Sequence, residues 1–200
     1  MTSDVVDSHV EEGSAPQVDE NQSMSEKDLD DLVLSAGFSL YIGDKDVAVK
    51  QWRKAAALGS TTAMCSLGVC YRMGVKGVVE EDMEQAKGFY ERSVALGGDT
   101  QGMNDLSLIY LQNGEGPDRL KGVVLSHLSS FFGYDGPESS MSAIPEELRD
   151  RQARLVRKFL KNFLIEHGFF ADLLAGRLPF SPDLQASISP SGPKPEWKSL

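Results

Sequence analysis

The chain has few of the features that announce an enzyme, a membrane protein or a disulfide scaffold. Only two of its 200 residues are cysteine, Cys65 and Cys70. Five positions apart on a helix, they point roughly 140° away from each other. That excludes an easy bridge, and two ligands do not make a zinc site. Two small apolar residues in a reducing compartment are expected instead. No run of apolar residues reaches the roughly 18 needed to cross a bilayer. The opening lacks the basic-then-apolar segment of a secretory signal. A cytoplasmic protein is therefore expected, with a nuclear one as the other possibility. Lys and Arg total 20 against 30 Asp and Glu. Without a basic excess, bulk binding to nucleic acid is not expected. No Gly-Lys dipeptide occurs, so there is no Walker-type phosphate loop.

The charge is concentrated at one end. Residues 1–31 hold ten acids against Lys27 alone, which leaves residues 32–200 close to neutral. Residues 1–24 are acidic and poor in large apolar side chains. They cannot offset the entropy of ordering and are expected to be disordered. Order is expected from Ser25, where Ser25 and Asp28 have capping-box spacing, as do Ser23 and Glu26.

What the chain does have is a repeat. Ala48, Trp52, Lys54, Ala57, Leu58 and Gly59 recur 38 positions later as Ala86, Tyr90, Arg92, Ala95, Leu96 and Gly97. Ala63, Leu67 and Tyr71 recur 39 positions later as Gly102, Leu106 and Tyr110. A period in this range marks stacked helical hairpins, none of which buries its apolar face alone. The pattern predicts an all-α solenoid of about three hairpins, near 25–59, 60–97 and 99–133. Leu29, Leu32, Val33, Ala36 and Leu40 give the first helix its stripe. Asp46 is expected to cap the next helix, from about Val47 to Leu58, and Gly59 to end it left-handed. Ala63, Gly68 and Ala86 allow close helix approach, while Tyr71 and Tyr90 fill the space between hairpins. The third hairpin keeps Leu106, Leu108, Ile109 and Tyr110, then resumes from Asp118 to Phe132 with a shortened loop. A helix from Glu146 to Glu166 and a short one near Phe169–Leu174 are expected to cap the stack at 145–177. Residues 178–200, rich in Pro and Ser, are expected to form a disordered tail.

Leu67-Gly68-x-x-Tyr71-x-x-Gly74, followed by Asp82-x-x-x-Ala86-x-x-Phe89-Tyr90-x-Arg92-x-x-x-x-Gly97, resembles a Sel-one-like repeat. This family is a longer-looped relative of the tetratricopeptide repeat. The likeness is good over residues 46–97 and weaker over 98–133. In the first hairpin the Gly37 to Tyr41 spacing is one longer and the Gly43-Asp44 turn is short. The resemblance implies an α-solenoid that holds other proteins as an adaptor or scaffold, with no activity and no cofactor.

Several local signals have simpler explanations than chemistry. Gly114-x-Gly116 follows a helix, whereas a dinucleotide loop follows a strand. Asp44-x-Asp46 lacks the later ligands of a calcium loop. Ser126 and Ser129 flank His127 in sequence but do not face it on a helix. Pro179-x-x-Pro182 and Pro190-x-x-Pro193 have the spacing of polyproline ligands, and Ser181-Pro182 and Ser189-Pro190 that of proline-directed phosphorylation. Two surfaces remain. The first is the concave face, with Cys65, Val69, Arg72 and Met73 from one hairpin and Asn104, Leu108, Leu111 and Gln112 from the next. It reads either as a groove for a partner protein or peptide, or as ordinary surface between hairpins. The second is the basic side of helix 146–166, with Arg149, Arg151, Arg154, Arg157, Lys158 and Lys161. Its opposing stripe of Leu148, Leu155, Val156, Phe159, Leu160, Phe163 and Leu164 fits a capping helix. The alternative is a membrane-peripheral factor that places this helix on anionic lipid or in a partner groove.

Overall fold

A computed structural model describes residues 24–97, 99–134, 136, 139–163 and 168–187. The expectations for residues 1–23, and for Pro190-x-x-Pro193, lie outside the described residues. The described chain is all-α. Its helices are α1 (Glu26–Tyr41), α2 (Lys45–Ala57), α3 (Thr61–Met73), α4 (Met83–Ala95), α5 (Thr100–Asn113), α6 (Pro117–Phe131), α7 (Glu146–Phe163), α8 (Phe169–Leu174) and α9 (Pro182–Ala186). A 3-10 turn at Ser140–Ala143 precedes α7.

The starts of these helices follow from side-chain caps. Ser25 Oγ accepts from Asp28 N at 3.2 Å while Asp28 Oδ2 accepts from Ser25 N at 3.2 Å, a reciprocal capping box. Ser60, Asp82 and Asp99 accept from the backbone N–H of Ala63, Gln85 and Gly102 at 3.2, 3.0 and 2.6 Å. Pro117 opens α6, where its missing N–H is harmless. One expectation fails here. Asp44, not Asp46, is the N-cap of α2, and its side chain makes no capping bond. Asp46 is the second residue of the helix and pairs with Lys50 at 2.6 Å instead. The stops follow the glycines. Gly59 and Gly97 take φ of +94° and +87°, a region closed to most side chains.

The first six helices pack in chain order, each on the next. After α6 the order breaks. The 3-10 turn lies on α5 and α6, α7 on α6, and α9 on α7, while α8 reaches back to α4. The core accordingly has two parts. One joins α1, α2 and α3 around Trp52, Leu67, Met64 and Cys70. The other runs from Cys65 on the opposite side of α3 through α4, α5 and α6 to Phe159, Leu173 and Leu184. Close packing within it needs small residues. A Cβ on Gly68 would stand 2.5 Å from the Tyr90 ring, and one on Gly122 3.0 Å from both Tyr110 and Leu111. Tyr90 is fully buried, as a filler between hairpins should be. Tyr71 is only half-buried. It stacks on Phe89 with ring centroids 5.4 Å apart, and its hydroxyl accepts from Arg53 at 3.2 Å.

The C-terminal part is longer than expected. Order continues past Pro179: Ser181 caps α9, Leu184 is buried, and Gln152 Nε2 donates to Ser187 O at 2.8 Å. Pro182 is thus the first residue of a helix rather than part of an extended ligand.

Candidate functional site

The concave-face residues separate into two groups. Cys65, Asn104, Leu108 and Leu111 are buried, whereas Val69, Arg72 and Gln112 are half-buried and Met73 is exposed. The first four therefore do not line an open groove. The reason lies 36 residues further along the chain. Asn104 Oδ1 accepts from Ser140 N at 2.7 Å, and Ser140 Oγ donates to Ser126 Oγ at 2.9 Å. These buried bonds fasten the 3-10 turn over α5 and α6, and Gly122 lets α6 close on Leu111.

Where α3, α4 and α5 meet, Cys65, Tyr90, Arg72 and Asp105 are electrostatic neighbours. Burial pushes the Cys65 thiol well above its ordinary range, and the carboxylates of Asp99 and Asp105 push it further against the pull of Arg72. Burial does the same to the Tyr90 hydroxyl, again with Asp105 adding to it. Both groups stay protonated at neutral pH, so neither is an activated nucleophile. Burial raises Cys70 too. Burial, together with the bond that Tyr110 donates to Glu91 at 2.7 Å, holds the Tyr110 hydroxyl protonated. The arrangement ties α3, α4 and α5 together rather than presenting a reactive group.

On α7 the two faces are cleanly divided. Val156, Phe159 and Leu160 are buried, Leu155 is half-buried, and Phe159 meets Phe169 and Phe180 at centroid distances of 6.4 and 5.0 Å. Arg151, Arg154, Arg157 and Lys158 are exposed, while Arg149 Nε donates to Ile144 O at 2.9 Å. The side chains of Lys161, Phe163 and Leu164 lie outside the described residues. Between α6 and α7 there is a cavity of about 490 Å³ lined by His127, Phe131, Met141, Arg149, Val156 and Arg157, among others. Burial lowers His127 to about 4, with Gln152 opposing and Arg157 adding to the fall, so its imidazole is neutral at pH 7. A second cavity, about 740 Å³, separates the start of α6 from Leu178 and Phe180. Among the described residues no three His, Cys, Asp or Glu are placed to hold a metal ion. No described helix is long and apolar enough to cross a membrane.

The most exposed apolar surface is elsewhere, on the outer side of α1. Leu34, Phe38 and Tyr41 are 71%, 64% and 87% exposed, and Ile42 just after α1 and Val47 in the first turn of α2 are exposed too. The first three stand at i, i+4 and i+7, one above another on the helix. The opposite side of α1 carries the expected inward residues. Ala36 is buried, and Leu29, Leu32 and Val33 are half-buried, although Leu40 is exposed. Hydrogen bonds from Gln51 Nε2 to Ser35 Oγ (3.0 Å) and from Ser39 Oγ to Gln51 Oε1 (3.3 Å) hold that side to α2. The readable signal was apolar residues on both sides of α1. One inward stripe leaves Leu34, Phe38 and Tyr41 unaccounted for.

No family model matches this chain, and neither a curated protein nor a solved structure does.

Proposed function

We propose that this protein is a non-enzymatic interaction module, an adaptor or scaffold, whose docking face is the outer side of α1. The observation that carries this reading is the solvent-facing stripe of Leu34, Phe38 and Tyr41. Large apolar side chains aligned on one helix side and open to water mark a surface with a partner. The chain-order packing of α1 to α6 and the Gly68–Tyr90 contact support a stacked helical repeat of the Sel-one-like kind. Such stacks work by presenting surfaces, and they need their ends covered. The alternative use of α7 on anionic lipid would pull Phe159 away from Phe169 and Phe180. Its burial supports a capping role. A cytoplasmic setting is part of the proposal.

The test is a photo-crosslinking amino acid placed singly at Phe38, Met73 or Lys158 of the full chain in its native cells. Adducts with one defined protein are expected from position 38 and not from 158. Adducts from position 73 alone would return the docking face to α3. Adducts from 158 alone, or sedimentation of the protein with anionic vesicles that is lost on reversing Arg151, Arg154 and Lys158 to Glu, would favour the α7 alternative.

A further inference from the structure

We infer that the partner segment seated on α1 is a basic amphipathic helix of another protein, an inference that rests on the reading of α1 as the docking face. Geometry supplies the first half. The side of an α-helix offers no free backbone donors or acceptors, because these are spent inside the helix. A strand laid there would bury its own amides unpaired. A segment that covers Leu34, Phe38 and Tyr41 must satisfy its backbone internally, so it is a helix packing ridge into groove.

Charge supplies the second half. Taking Leu34 as the centre of the stripe, Asp30 and Asp31 lie roughly 40° to one side and 60° to the other. Both are exposed, and they straddle the stripe at its first end. Glu26 and Asp28 add to the first turn, and the last turn of α1 contains no basic residue. The carbonyl end of the helix, beside Tyr41, is itself the negative pole. Lys27, exposed and roughly 20° from the centre of the stripe, is outnumbered at the first end by Glu26, Asp28, Asp30 and Asp31. The approach there is net negative, and Lys or Arg flanking the partner's apolar side would meet it.

The same charges argue against two nearer occupants. In a second copy of this chain, parallel pairing sets four acids and Lys27 against the same set, a net repulsion. Antiparallel pairing sets Asp30 and Asp31 against a helix end that is negative and has no basic residue. The acidic segment that precedes α1 repels the same ground and has few large apolar side chains with which to cover it.

The experiment uses the full chain and two synthetic helical peptides that share one leucine stripe. One carries Lys on its polar side and the other Glu, and binding is read by fluorescence anisotropy at low and high salt. The Lys peptide is expected to bind at least tenfold more tightly than the Glu peptide and to weaken with salt. Phe38→Asp is expected to weaken it tenfold or more. That substitution also makes the protein more acidic, so general attraction to a protein of net charge −10 gives the opposite result. Undiminished binding by Phe38→Asp therefore overturns the inference, as does failure of the Lys peptide to bind. Loss on Phe38→Asp with equal affinity for both peptides leaves α1 as the docking face and overturns the basic partner. Self-association in sedimentation that disappears in Phe38→Asp overturns it in favour of a second copy. Tyr41→Asp, at a still more exposed position, repeats each measurement should Phe38→Asp fail to fold.

Discussion

The two ends of the helical stack are finished differently. At the C-terminal end the 3-10 turn and α7 lie on α6, and α8 and α9 lie over the same part of the core, although Phe131 and Phe132 at the end of α6 remain exposed. Phe159 and Leu184 are buried there, and even the polar groups of Asn104, Ser126 and Ser140 are paired. At the N-terminal end α1 packs on α2 with its inner side, and its outer side shows Leu34, Phe38 and Tyr41 to water. Both ends start from the same problem, a helix with apolar residues to spare. The chain solves it internally at one end. At the other, among the described residues, the outer side of α1 stays open to water.

The sharpest way to break this comparison is to truncate one aromatic at each end. Phe159→Ala is expected to cost about 3 kcal/mol or more, read as a lower urea midpoint at unchanged slope. Phe38→Ala is expected to stay within about 0.5 kcal/mol of the parent. Similar losses at both positions would mean that α1 is packed as firmly as α7. Between the two ends, Gly68→Ala forces a methyl into the Tyr90 ring. Overpacking there is expected to cost about 1–3 kcal/mol, a scale for the middle of the stack.

Acid separates the ends more selectively. His127 lies at the α6–α7 seam, and its folded value of about 4 is below the ordinary 6.5. Between these values the unfolded chain takes up a proton that the folded one refuses, so stability falls as the pH is lowered and levels off below about 4. Going from pH 7.5 to 5 should remove about 2 kcal/mol. His127→Gln should lack that component in urea titrations at the two pH values. Amide exchange should quicken at α7 in acid and not at α1; equal quickening would detach the effect from the seam. The smallest effect is expected from Tyr41→Asp, which should leave stability within about 0.5 kcal/mol. A large loss there would show that α1 already has a cover.

The repeat made the middle of the molecule legible. Gly68, Tyr90, Gly59 and Gly97 stand where their spacing put them, and α3 to α6 begin and end within a few residues of the reading. The concave face was not legible, because what fastens over Asn104 comes from Ser140 and its neighbours, in a Gly, Pro and Ser loop with no apolar period of its own. The same holds for α9, where one buried leucine and a proline at the first helical position sit in tail-like composition. Local pattern reports what a segment can bury within itself. It is silent on what a distant segment brings. On α1 apolar residues fall on both sides of the helix, and a single inward stripe accounts for Leu29, Leu32, Val33 and Ala36 and not for Leu34, Phe38 and Tyr41.

The division of the core across α3 gives the molecule a pair of internal clocks. Cys70 belongs to the part shared with α1 and α2, and Cys65 to the part shared with α4 and α5. Both thiols are hidden from solvent, and burial keeps both from ionising. An alkylating reagent reaches each sulfur only when its own part of the stack opens, so the two labelling rates time the breathing of the two halves separately within a single chain.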